Sequence, residues 1–152
     1  MFAHISFRSA RALAFCILAS TAIACDDDDP IEPDDEPEVA AVRLTVGTST
    51  VTVSTTASPT LDVATGTNNV TAEWLRSGGA VETLVTDAEF ELRIAQASGT
   101  GTLAFTPTSA RAGTLTVTGL NAGQTIAATV SLFHKQEQHT DFGPLNFTVR
   151  RP

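Results

Sequence analysis

The stretch TIAATVSL, Thr125–Leu132, decides the fold: Ile126, Ala128, Val130 and Leu132 occupy every second position, with Thr125, Ala127, Thr129 and Ser131 between them. A period of two sends successive side chains to opposite faces of an extended chain. This wording therefore describes a strand with one face buried and one in water, not a helix. It reads as the longest strand of the chain. The same rhythm recurs on both sides of it. Val42, Leu44 and Val46 alternate with Arg43 and Thr45, and Val51 and Val53 sit between Thr50, Thr52 and Ser54. Val70, Ala72 and Trp74 oppose Thr71 and Glu73, while Phe90, Leu92 and Ile94 oppose Glu89, Glu91 and Arg93. Leu103 with Phe105, Leu115 with Val117, and finally Leu145, Phe147 and Val149 complete the series.

Turn-forming residues separate these runs: Ser58-Pro59, Gly66 to Asn69, Ser77-Gly78-Gly79, Ser98 to Gly101 and Asn121-Ala122-Gly123. No window from Val39 onward shows a 3.6-residue period, and threonine makes up about a fifth of that region, as suits a pleated, half-buried surface. Eight or nine short strands, each with one apolar face, are expected to bury those faces as an all-β domain of two packed antiparallel sheets. A small barrel is the alternative. Trp74 and five phenylalanines supply the bulk of the core, at about 1.5–3 kcal/mol for each large side chain buried.

Upstream the text changes twice. The net charge of -8 is a local property: Asp26–Asp29, Glu32, Asp34, Asp35, Glu36 and Glu38 carry it without a single base among residues 26–38. From Val39 on, eight acids face seven Lys/Arg. Such a domain has no clustered cations with which to displace phosphate counterions, which speaks against nucleic-acid binding. Pro30, Pro33 and Pro37 and the mutual repulsion of the acids make residues 25–38 a stiff linker. In polyproline-II form it would span roughly 40 Å at about 3.1 Å per residue. Before it, Arg8 and Arg11 precede the 13-residue apolar run Ala12–Ala24. That run is too short for a membrane span of about 20 residues and suits the apolar region of a cleavable signal peptide over residues 1–24.

The run closes on Ala22-Ile23-Ala24-Cys25, which resembles the lipobox of bacterial lipoproteins, with Ala22 where leucine is commoner. The resemblance implies that Cys25 receives a diacylglycerol on its thiol, that cleavage falls just before it, and that its new amine is often acylated. The protein would then sit in the bacterial cell envelope, on the periplasmic face or the cell surface, with the membrane as its partner through the lipid. Ala22-Ile23-Ala24 also satisfies the A-x-A rule of an ordinary signal peptidase. An Asp directly after the cysteine is similar to an inner-membrane retention signal, and the destination membrane stays open. With Cys16 removed and Cys25 modified, the folded part is left without cysteine, so disulfides and thiolate metal sites are excluded from it.

The strand pattern from Val39 to Pro152 is similar to the immunoglobulin-like and fibronectin type III-like domains of bacterial surface proteins. Trp74 and Leu120-Asn121-Ala122-Gly123 stand for their buried tryptophan and their Leu-x-x-Gly turn before a long strand. The tyrosine common in those domains is missing, since the chain has none. The resemblance implies an Ig-like sandwich serving as a binding or structural module.

The densest polar chemistry is Leu132–Pro144. His134, His139 and Asp141, joined by Glu137, are ligand types suited to Zn or Cu, and a loop would bring them together. The competing expectation is a plain hairpin loop in which Asp141 bonds backbone amides, Gly143-Pro144 makes the turn, and Phe142 plugs the end of the sandwich. A protein or glycan partner held by this loop is a further possibility. No serine lies in a G-x-S-x-G setting. Glu73, Glu82, Glu89 and Glu91 are carboxylates of the kind glycoside hydrolases pair, but all four read as outward and solvated. The sequence thus points to a non-enzymatic envelope lipoprotein, with metal binding through the His134–Asp141 loop as the alternative.

Overall fold

The computed structural model describes residues 36–152, so the signal segment, Cys25 and most of the acidic linker lie outside the described residues. The described chain is all β, with nine strands: β1 (Ala41–Val46), β2 (Ser49–Ser54), β3 (Thr60–Asp62), β4 (Gly66–Leu75), β5 (Phe90–Gly99), β6 (Thr102–Pro107), β7 (Ala112–Thr118), β8 (Thr125–His134) and β9 (His139–Arg150). They form a five-stranded sheet in the order β2-β1-β4-β7-β6 and a four-stranded sheet in the order β3-β9-β8-β5. All ladders are antiparallel except β3 with β9. The two sheets pack face to face and do not close into a barrel.

Period-two alternation explains the core directly. The inward rows Val42/Leu44/Val46, Val70/Ala72/Trp74 and Leu115/Val117 come from one sheet. Leu92/Ile94, Ile126/Ala128/Val130/Leu132 and Leu145/Phe147/Val149 come from the other, and all join one buried apolar cluster. Trp74 is fully buried at the centre, where its Nε1–H donates to the Ala110 carbonyl at 2.7 Å and satisfies its single polar group.

The gaps between the sheets are bridged by side chains. At one edge Gln96 donates to the Gly101 carbonyl at 2.9 Å and accepts from the Leu103 amide at 2.8 Å, tying β5 to β6 across the corner. At the other, the Asp62 amide donates to Ser49 Oγ at 3.2 Å, tying β3 to β2, and within its own sheet Asp62 is gripped by Arg150 of β9 at 2.7 and 3.0 Å. That guanidinium lowers the Asp62 carboxyl below its ordinary range.

Three sequence expectations change. Gly66 to Asn69 form the start of β4, pairing Gly66–Asn69 with Val117–Thr114, and not a turn. The turn expected over Ser98 to Gly101 shrinks, because β5 runs to Gly99. The longest strand is β9, with 12 residues against 10 for β8, because the polar stretch from His139 to Pro144 pairs along β8.

The molecule has two distinct ends. The chain enters β1 at Ala41, which pairs with Leu75 and Ser54. The loop after β4 and the β8–β9 hairpin share that end, since Lys135 bonds the carbonyls of both Glu89, through its amide, and Asp87, through its Nζ. The opposite end holds the turns around Gly47, Gly99 and Gly123, with the C-terminal Arg151 bonded to Gln124 and Leu120.

Candidate functional site

The β8–β9 hairpin begins with a pairing: His134, the last residue of β8, stands directly opposite His139, the first of β9. Cross-strand partners on one face are near neighbours, and here the imidazole centroids are 5.8 Å apart. Lys135–Gln138 make the turn. Gln138 takes φ of 58°, its amide donates to the His134 carbonyl at 3.0 Å, and its side chain bonds the Lys135 carbonyl. The Lys135 amide donates to Glu89 at 2.7 Å, so the tip is fastened to the neighbouring loop as well as to itself. His134 stacks on Phe90 with centroids 4.8 Å apart, which fixes its ring plane.

Two carboxylates close on this pair. Glu137 lies 3.3 Å from His139 Nδ1 and 3.6 Å from His134 Nδ1. Asp141 lies 2.5 Å from His139 Nε2 and 3.7 Å from His134 Nδ1. His139 is therefore flanked, with Glu137 at one ring nitrogen and Asp141 at the other. Donor atoms of His134, Glu137 and His139 all fall within 4.8 Å of one another. Burial differs: the His134 and Asp141 side chains are 18% and 19% exposed, those of His139 and Glu137 52% and 56%. The inner half of the cluster is thus held by the fold, and the outer half faces water.

The structure places His134, Glu137, His139 and Asp141, all named in the sequence reading, together at the hairpin, and each carboxylate lies within 3.7 Å of a nitrogen of both histidines. The plain-hairpin expectation holds in part: β8 and β9 form the hairpin and Phe142 packs on the core, but the turn and the partners of Asp141 differ. The turn falls at Lys135–Gln138, Asp141 meets imidazoles, and Gly143-Pro144 lies inside β9. Gly143 is required there: its φ is 92°, and a Cβ would sit 2.7 Å from the Val130 carbonyl oxygen. The ladder steps from Phe133↔Thr140 to Leu132↔Phe142, so Asp141 is a bulge residue without a cross-strand partner. Phe142 turns inward and meets Trp74 edge-on at 6.4 Å.

One charged residue departs from its expected exposure. Glu82 is not solvated but fully buried. Its carboxylate accepts from Arg76 at 2.6 and 2.9 Å and from the amides of Leu84 and Glu38 at 2.9 and 3.0 Å. The Arg76 guanidinium, aided by those amides and opposed by burial, holds its pKa down to about 2. Arg111 then grips the Glu82 and Val85 carbonyls at 2.5 and 3.2 Å. The available signal was Arg76 and Glu82 flanking Gly78-Gly79, opposite charges across a tight turn. Glu38 is the last acid of the linker, so Glu82 also fastens the root of the tether to the domain.

Neither family models, curated proteins nor solved structures yield a match to this chain.

Proposed function

We propose that the protein is a lipid-anchored, non-enzymatic lipoprotein of the bacterial cell envelope that presents its β-sandwich as a binding module. The observation that carries this reading is the polarity of the domain. The chain arrives at one end, where the Glu38 amide is held by buried Glu82, and the turns around Gly47, Gly99 and Gly123 with the C-terminus lie at the other. A lipid at Cys25 would therefore be joined to the domain through that first end. Two acyl chains or more meet the threshold for stable anchoring.

The strand order also suits the resemblance to Ig-like domains. Leaving aside β2 and β3, the order β1-β4-β7-β6 against β9-β8-β5 is that of a seven-strand sandwich of four strands against three, with the Leu120–Gly123 turn directly before β8. Trp74 lies on the central strand of the larger sheet, a departure from the usual placement of the Ig tryptophan in the smaller one. The outward face of the larger sheet offers a row of hydroxyls, Thr50–Thr45–Thr71, with Thr67 bonded to Thr116 nearby. Such a face suits contact with a glycan or an extended peptide.

Fractionation of bacteria producing the full chain tests the anchoring. The wild type is expected in the membrane fraction, and Cys25→Ala in the soluble periplasm or medium. Equal partition of both into the soluble fraction would refute the reading.

A further inference from the structure

We propose that the β8–β9 hairpin is a binding site for one borderline divalent cation, Zn(II) or Cu(II), with His134, Glu137 and His139 as its ligands and Asp141 as the group that orients His139. This inference stands on the hairpin alone and does not depend on whether Cys25 is acylated.

The first support is distance. Nitrogen and oxygen ligands bonded to a tetrahedral Zn(II) at about 2.0–2.2 Å stand about 3.3–3.5 Å from one another. Glu137 is 3.3 Å from His139 Nδ1 and 3.6 Å from His134 Nδ1, so two edges of the donor set already have nearly that length. The donor atoms of all three residues lie within 4.8 Å of one another, so the third edge is the longest and requires the outer, half-exposed His139 side chain to move inward on binding.

The second support is the division of labour around His139. A ligating imidazole usually gives its other N–H to a carboxylate, which fixes both the tautomer and the ring plane. Asp141, 2.5 Å from Nε2, is that carboxylate: it holds the proton on Nε2 and leaves the Nδ1 lone pair turned toward Glu137. The two carboxylates therefore play different parts, and Asp141 is a positioning residue. His134 is oriented by stacking on Phe90.

The third support is preorganisation. The pairing of His134 with His139, the Gln138 bond to the His134 carbonyl and the Lys135 bonds to Glu89 and Asp87 hold the ligand-bearing backbone before any ion arrives. Three protein donors leave one tetrahedral position for water or for a group from a partner. Two imidazoles with one carboxylate select Zn(II) or Cu(II) over Mg(II) and Ca(II), which prefer all-oxygen sites.

The test is titration of the full chain, in detergent, with Zn(II), Cu(II) and Mg(II) by calorimetry, alongside H139A, H134A/H139A and D141N. All variants keep the linker acids, so weak binding there is common to every protein. The wild type is expected to take one Zn(II) or Cu(II) with Kd below about 10 μM and no Mg(II) at that level. H139A and the double variant should lose the site, and D141N should weaken it about tenfold or more. The electron paramagnetic resonance spectrum of the Cu(II) form should report two nitrogen ligands, a signal absent from H139A and from H134A/H139A. Because His134 packs on Phe90, H139A, whose side chain is half exposed, provides the second variant should H134A/H139A unfold. Wild-type binding weaker than about 100 μM, or equal binding in H139A, would overturn the proposal.

Discussion

Replacing Glu82 with Gln removes one negative charge from a fully buried position while keeping its shape. In the folded protein the Glu82 pKa falls from the ordinary 4.5 to about 2. At about 1.4 kcal/mol per pH unit, that is about 3.5 kcal/mol of stability at neutral pH, and water around the 41% exposed Arg76 side chain reduces it to about 2 kcal/mol. For a domain of this size, the loss corresponds to a fall in Tm of about 8 °C. The sign follows from the lowered pKa. The stabilisation is complete above about pH 4.5, where the unfolded carboxyl is also ionised, and it disappears as pH falls toward about 2. Thermal melts of wild type and E82Q at pH 7, 4.5, 3 and 2 should therefore show a gap that is full at pH 7 and 4.5, narrows at pH 3 and is mostly closed at pH 2. A gap that is constant across this range, or a Tm difference at pH 7 below about 2 °C, would refute the assignment of Glu82 as an ionised anchor for Arg76 and the tether root.

Two further substitutions test the packing. Gly113→Ala would place a Cβ 2.3 Å from Phe105 Cζ and 2.7 Å from the Thr106 carbonyl oxygen, so it should cost about 2–3 kcal/mol through displacement of β6, read as a lowered denaturation midpoint. Trp74→Phe removes the bond to Ala110 and leaves a void between the sheets, at an expected cost of about 2–4 kcal/mol; an unchanged midpoint would contradict the placement of Trp74 at the centre of the core.

The strands were legible because alternation is a local code: each inward row from Val42 to Val149 could be read without knowing its partner. What was missed depends on partners. β3 is three residues long with one buried side chain, Leu61, and exists because β9 lies beside it. Gly66 to Asn69 and Gly143-Pro144 carry turn-forming residues, yet β7 and β8 supply ladders that override that preference. Glu82 lies in a loop, where strand parity says nothing about burial, and its burial depends on Arg76 and two backbone amides arriving from elsewhere. At the hairpin the residue types were visible in sequence. Only the His134–His139 register and the bulge at Asp141 show that Glu137 and Asp141 each reach both imidazoles, with Asp141 nearest His139 Nε2.

The central claim is that the domain is carried on a lipid at Cys25. It is tested most directly by intact-mass and N-terminal peptide mass spectrometry of the mature protein made in a bacterium. The expected result is a chain beginning at Cys25 whose first residue carries a diacylglyceryl group, with or without an added amide-linked acyl chain. A chain that begins at an unmodified Cys25, or that retains Met1–Ala24, would contradict it.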